Sequence, residues 1–129
     1  MPDTSTKRVF AAGDPSVLGD VRGFVLEIAG GLEPELVQDL QLAVTEACAN
    51  AIRHSGSAEV RVSVRVLGAC VEATIEDDGI YLDHLPPADG DEYGHRGMFL
   101  MVAMVDELGV KRGTAEQPGT TIRLVKCFA

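Results

Sequence analysis

The chain has 129 residues, of which 46% are apolar and 24% charged, and its 20 acidic and 11 basic residues give a formal net charge of −9. That is enough sequence for one globular domain with a buried core and no need of a metal or disulfide staple. The acidic balance excludes a surface built for nucleic-acid phosphates or anionic lipid, where Lys and Arg must cluster, and no apolar run approaches the roughly 18 residues of a bilayer-spanning helix.

Residues 1–6 lack a basic region followed by an apolar stretch, so no secretory signal is expected and the protein reads as cytoplasmic. Residues 8–11 are a short apolar run, a candidate edge strand. Asp14-Pro15 then reads as an N-cap followed by Pro at the first helical position. Val17, Leu18, Val21, Phe24, Val25 and Ile28 follow at helical spacing, and Gly30-Gly31 stops the helix. A second helix is predicted from Glu33-Pro34 to residue 54, with Leu36, Leu40, Ala43, Val44, Ala47 and Ala51 on one face.

Two strands come next. Val60, Val62, Val64 and Val66 alternate with Arg61, Ser63 and Arg65; after a turn at 67–69, Val71, Ala73 and Ile75 alternate with Glu72, Thr74 and Glu76. This period of two marks a half-buried hairpin. Residues 78–94 form a long polar loop rich in acids, of the kind that is usually functional or disordered. An apolar helix is predicted over 97–108, then a second hairpin joining 110–112 to 120–127 around Gln117-Pro118-Gly119. The order predicts an α+β fold, a two-layer sandwich of helices on a mostly antiparallel sheet, as a single domain over 1–129. Cys48, Cys70 and Cys127 are odd in number, far apart and in no CxxC pair, so they read as three reduced thiols.

Four segments carry possible chemistry. In the second helix, Glu46 and Asn50 are one turn apart on a polar stripe beside the apolar face, with Arg53 and His54 a further turn on. A carboxylate and an amide oxygen so placed can hold a divalent cation or polarise a water. In the strand ending at Asp77, that residue continues the Val71, Ala73, Ile75 series and should point toward the buried face. An ionised carboxylate there needs a donor, such as a purine amino group or a backbone N–H. Gly79 would let a ligand come close to the chain. Gly94-His95-Arg96-Gly97-Met98 leads into a helix N-terminus, a natural phosphate cradle, though it is not a Walker A loop. Gly119-Thr120-Thr121 restarts a strand.

In order and spacing these segments resemble the N, G1, G2 and G3 boxes of the GHKL ATPase fold, and most closely its small stand-alone branch, the anti-sigma factors that are also serine-protein kinases. The run Leu-Gln-Leu-Ala-Val-Thr-Glu-Ala-Cys-Ala-Asn-Ala-Ile-Arg-His at 40–54 is similar to that branch's N box. Gly-His-Arg-Gly-Met-Phe-Leu-Met at 94–101 is similar to its G2 box, and Gly-Thr-Thr-Ile-Arg-Leu at 119–124 to its closing strand.

The resemblance implies ATP and Mg²⁺ as cofactors. Glu46 would be the general base, Asn50 the Mg²⁺ ligand, Asp77 the acceptor of the adenine amino group, and Gly79 part of the base pocket. Residues 80–96 would cover the phosphates, with Gly94, Arg96, Gly97 and Met98 closing on them, and Thr120 would support the adenine end. It also implies a sigma factor and a small STAS-type anti-anti-sigma protein as partners, a homodimer, and no direct contact with nucleic acid or membrane. The sequence departs from the pattern at Tyr81 and His95, where glycines are expected, and at Val102, where a positive residue is common. Tyr81 motivates an alternative, a module that keeps the fold, has lost nucleotide turnover and regulates by sequestration alone. A third reading is a detached histidine kinase catalytic domain.

Overall fold

A computed structural model describes residues 4–54, 56–79, 103–113, 116 and 118–127. In chain order it comprises β1 (Thr4–Ala11), α1 (Val17–Ala29), α2 (Pro34–His54), β2 (Glu59–Leu67), β3 (Cys70–Asp77), β4 (Glu107–Arg112) and β5 (Thr120–Cys127). The strands form one five-stranded sheet in the order β1-β2-β3-β5-β4. Every neighbouring pair is antiparallel.

The alternation seen in the sequence sorts the two faces of the sheet. Val60, Val62 and Val64, with Val71, Ala73 and Ile75, and with Ile122 and Leu124, point to one face and are buried. Helix α1 covers β1 and β2 there, and α2 covers β2, β3 and β5. The predicted apolar stripe of α2 supplies Leu40, Ala43, Val44, Ala47 and Ala51 to this interface, joined by Val37 and Cys48. Phe24 of α1 meets Phe10 of β1 edge-on, with ring centroids 5.9 Å apart. Each fully buried Val or Leu contributes roughly 1.5–3 kcal/mol relative to exposure, so this layer is the main source of stability.

The opposite face is a lattice of charges. Lys7 pairs with Glu76 at 3.1 Å, Arg65 with Glu72 at 2.8 Å, and Arg123 with both Glu72 at 2.5 Å and Glu107 at 3.4 Å. Burial pushes the Glu72 carboxyl up, but hydrogen bonds from Arg123 and Arg65 outweigh it and hold the group below the usual carboxylate range.

Three expectations are corrected. Helix α1 starts at Val17 rather than at Pro15, because the Asp14 carboxylate accepts from the Ser16 N–H and hydroxyl, both at 2.9 Å, and closes a local turn instead of capping the helix. The helix expected over 97–108 does not reach 108. Ala103 and Met104 are helical, but the Asp106 N–H donates to Val125 O at 2.7 Å, and β4 begins at Glu107. Val105 and Asp106 are not helical, and residues 97–102 lie outside the described residues.

The third correction concerns the thiols. Cys70 and Cys127 face each other on the last rung of the β3–β5 ladder and form a disulfide, leaving Cys48 free. Burial pushes the Cys48 thiol up to about 12, which leaves it unreactive. The bridge spans 57 positions of sequence. Cys127→Ser, or reduction with dithiothreitol, should therefore lower unfolding stability by about 2–4 kcal/mol. A denaturation midpoint that is indifferent to reductant would show that the thiols stay reduced in solution.

Candidate functional site

Helix α2 brings Glu46, Asn50 and Arg53 along one stripe beside its apolar face. Glu46 is half-buried, Asn50 is 2% exposed and Arg53 is exposed. Thr45, next to Glu46, returns its hydroxyl to Gln41 O at 2.6 Å. Asn50 has no such closure. Its Oδ1 accepts from Arg53 Nη2 at 2.8 Å, and its Nδ2 is buried with no partner among the described residues. A buried donor left unpaired costs about 1–3 kcal/mol, a cost that a hydrogen-bond acceptor reaching Nδ2 would relieve.

The other part of the site lies where β3 ends. Asp77 and Thr120 are opposite one another on the β3–β5 ladder, and each is 3% exposed. The strand phase carries Asp77 to the helix side, as the alternation predicted, and its Oδ1 accepts from the Gly79 N–H at 3.0 Å. Asp78, one residue on, turns outward. Arg61 grips it with two hydrogen bonds of 3.0 and 2.9 Å, which holds its carboxyl below the usual carboxylate range. Of the two adjacent acids, one is neutralised on the outer face and the other is carried inside. A hollow of about 350 Å³ at this rung is lined by Asp77, Thr120 and Gly119 together with the charged groups of Arg61, Glu76, Asp78 and Lys111, and does not include Glu46 or Asn50.

Gly119 matters to this corner. Its φ is +134°, and a Cβ there would come within 3.1 Å of the Asp77 carbonyl oxygen. Gly119→Ala should cost about 1–3 kcal/mol of stability and disturb the Asp77 corner. Thermal melts together with ligand titration would check both effects.

Of the residues expected at the site, Asp77, Gly79 and Thr120 gather at one end of β3 and β5, and Glu46 and Asn50 lie on the helix that packs over those strands. Gly94, Arg96, Gly97, Met98 and Tyr81 lie outside the described residues. The sequence reading missed the roles of Arg53 and Gly119. Arg53 was legible only as an i, i+3 neighbour of Asn50.

The donor set fits Mg²⁺. Among the described residues no group of three or more His, Cys, Asp or Glu side chains could cage a metal. Mg²⁺ in nucleotide sites asks for less: one or two protein oxygens, with water and phosphates completing the shell. The Asn50 amide supplies one such hard oxygen, and its present partner is already a cation. Among the described residues no helix is long and apolar enough to cross a membrane.

A family model described as a histidine kinase-like ATPase domain matches residues 11–126. The chain is 28% identical over 131 residues to the serine-protein kinase RsbW of Bacillus velezensis, covering 88% of this chain and 79% of that one. It is 26% identical over 130 residues to the Bacillus subtilis RsbW, covering 87% and 79%. Among solved structures, the histidine kinase domain of the Erythrobacter litoralis EL346 blue-light activated histidine kinase superposes with a TM-score of 0.57 at 24% identity, over 91% of this chain. The chain spans 61% of that domain. The Acinetobacter baumannii histidine kinase AdeS superposes with a TM-score of 0.50 at 13% identity, covering 95% of this chain and 67% of that one. These two likenesses concern the fold.

Proposed function

The chain belongs to the histidine kinase-like ATPase family, and from that premise we propose that it is an ATP-dependent serine-protein kinase and anti-sigma factor. In this reading it holds a sigma factor and is countered by a STAS-type anti-anti-sigma partner, whose serine it phosphorylates. The kinase relatives that align along most of its length support a kinase of the anti-sigma group. The observation that carries the site assignment is Asp77, a carboxylate 3% exposed on the helix side of the sheet, beside Thr120 and beneath the helix that bears Glu46 and Asn50.

Each residue then has a task within reach of its chemistry. Asp77 accepts from the exocyclic amino group of adenine, and Gly79, having no side chain, lets the base approach the chain. Thr120 forms the wall across the rung. Mg²⁺ held at the Asn50 amide oxygen would neutralise charge on the phosphates. Glu46, one turn before Asn50, takes the proton from the attacking serine hydroxyl. Gly94, Arg96, Gly97 and Met98 would close on the phosphates. The protein would work as a homodimer in the cytoplasm, touching neither DNA nor membrane.

The test is transfer of labelled γ-phosphate from Mg²⁺-ATP to a STAS-type partner, with acid treatment of the product. Acid-stable phosphoserine is expected. An acid-labile product would instead point to a histidine acceptor. ATP binding without transfer, together with retained sigma-factor binding, would favour the sequestration-only reading that Tyr81 motivates.

A further inference from the structure

We propose that Arg53 is a positioning residue that occupies the cation's place at Asn50 and so sets how much Mg²⁺ the nucleotide site requires. The inference rests on the reading of this site as one for ATP and Mg²⁺. It starts from two atoms of one side chain. Asn50 is 2% exposed, so its amide has little access to bulk water. Its Oδ1 accepts from Arg53 Nη2 at 2.8 Å, while its Nδ2 is buried without a partner. The interaction satisfies the oxygen and leaves the nitrogen without a partner among the described residues, whereas a purely structural buried Asn would have both paired.

The spacing explains how the contact forms. Residues three apart on a helix share a face, and an exposed Arg can lay its guanidinium back along the preceding turn. The guanidinium is always charged. The oxygen it holds is the hard oxygen that suits Mg²⁺. A divalent cation and a guanidinium repel at such short range, so one must leave when the other arrives. Arg53 therefore keeps the amide turned with its oxygen toward a positive charge while the site is empty, and competes with the metal when it fills. Preorganisation and competition come from the same hydrogen bond.

The experiment measures ATP binding at equilibrium, in EDTA and across a Mg²⁺ titration, for the full chain and for Arg53→Gln, Arg53→Lys, Asn50→Ala and the Arg53→Gln/Asn50→Ala double variant. Melting temperatures check that each variant folds. Arg53→Gln should lower the half-saturating Mg²⁺ about three- to tenfold, with Arg53→Lys returning it toward the original value. In the Asn50→Ala background the Arg53 change should have no effect on the Mg²⁺ midpoint, because the shared oxygen is gone.

An unchanged or raised midpoint in Arg53→Gln overturns the inference. So does an effect that persists without Asn50. A loss of ATP affinity in EDTA with an unmoved midpoint would make Arg53 a phosphate contact and overturn it as well. These failures differ from failure of the functional reading itself, which would appear as an unsubstituted chain that binds no ATP at any Mg²⁺ concentration.

Discussion

Asp77→Ala will weaken ATP binding about ten- to hundredfold and remove the preference for ATP over GTP. The magnitude is that of one hydrogen bond to a buried charged acceptor. The selectivity follows from chemistry. Adenine offers an amino group where guanine offers a carbonyl, and a carbonyl facing the Asp77 carboxylate, a residue 3% exposed, leaves two acceptors opposed. The same change removes the acceptor of the Gly79 N–H, so melting temperatures must accompany the titrations. Asp77→Asn keeps the shape and one acceptor oxygen, and should fall between alanine and the original residue in affinity. If Asp77→Ala binds ATP as tightly as before and still refuses GTP, adenine is not read at this corner.

Glu46→Gln will slow phosphoryl transfer about 100- to 10,000-fold, the usual contribution of a general base. ATP binding should change little, because in the proposed role Glu46 would act on the acceptor hydroxyl rather than on the nucleotide. The side chain is half-buried on α2 one turn from Asn50. Single-turnover transfer to the serine partner and equilibrium ATP binding separate the two effects. If both are lost together in a folded variant, Glu46 belongs to the nucleotide pocket instead. If neither changes, another group takes the proton.

Much of this fold was legible because burial writes a period into sequence. The Val60, Val62, Val64 alternation marked β2, and its counterpart in β3 carried Asp77 inside without any ligand being in view. The α2 stripe was equally plain, since a 21-residue helix gives the pattern room to repeat. Other features had no such signature. The first half of β1, Thr-Ser-Thr-Lys, is polar, because an edge strand there has little core to meet. Glu107 and Leu108 were assigned to the preceding apolar run, since only a hydrogen bond from Asp106 to the distant Val125 ends it. Cys70 and Cys127 meet because β5 lies beside β3, a pairing that crosses an intervening segment and another strand. At the site, the residue types and their order were readable, but the orphaned Asn50 nitrogen was not. It depends on which way one amide is turned, and Arg53 decides that.

The placement of β5 between β3 and β4 has a consequence for how such a protein can diversify. Asp77 and Thr120 share a rung although 43 positions separate them in the chain. Backbone ladders on both sides of β5 maintain that rung. The connection between β3 and β4 can therefore lengthen, shorten or change composition without moving the Asp77–Thr120 rung. In the proposed function, recognition of the base at that rung and the make-up of the connection are separately heritable traits. Descendants of one ancestor can keep the same nucleotide while acquiring different kinetics, different partners, or no turnover at all.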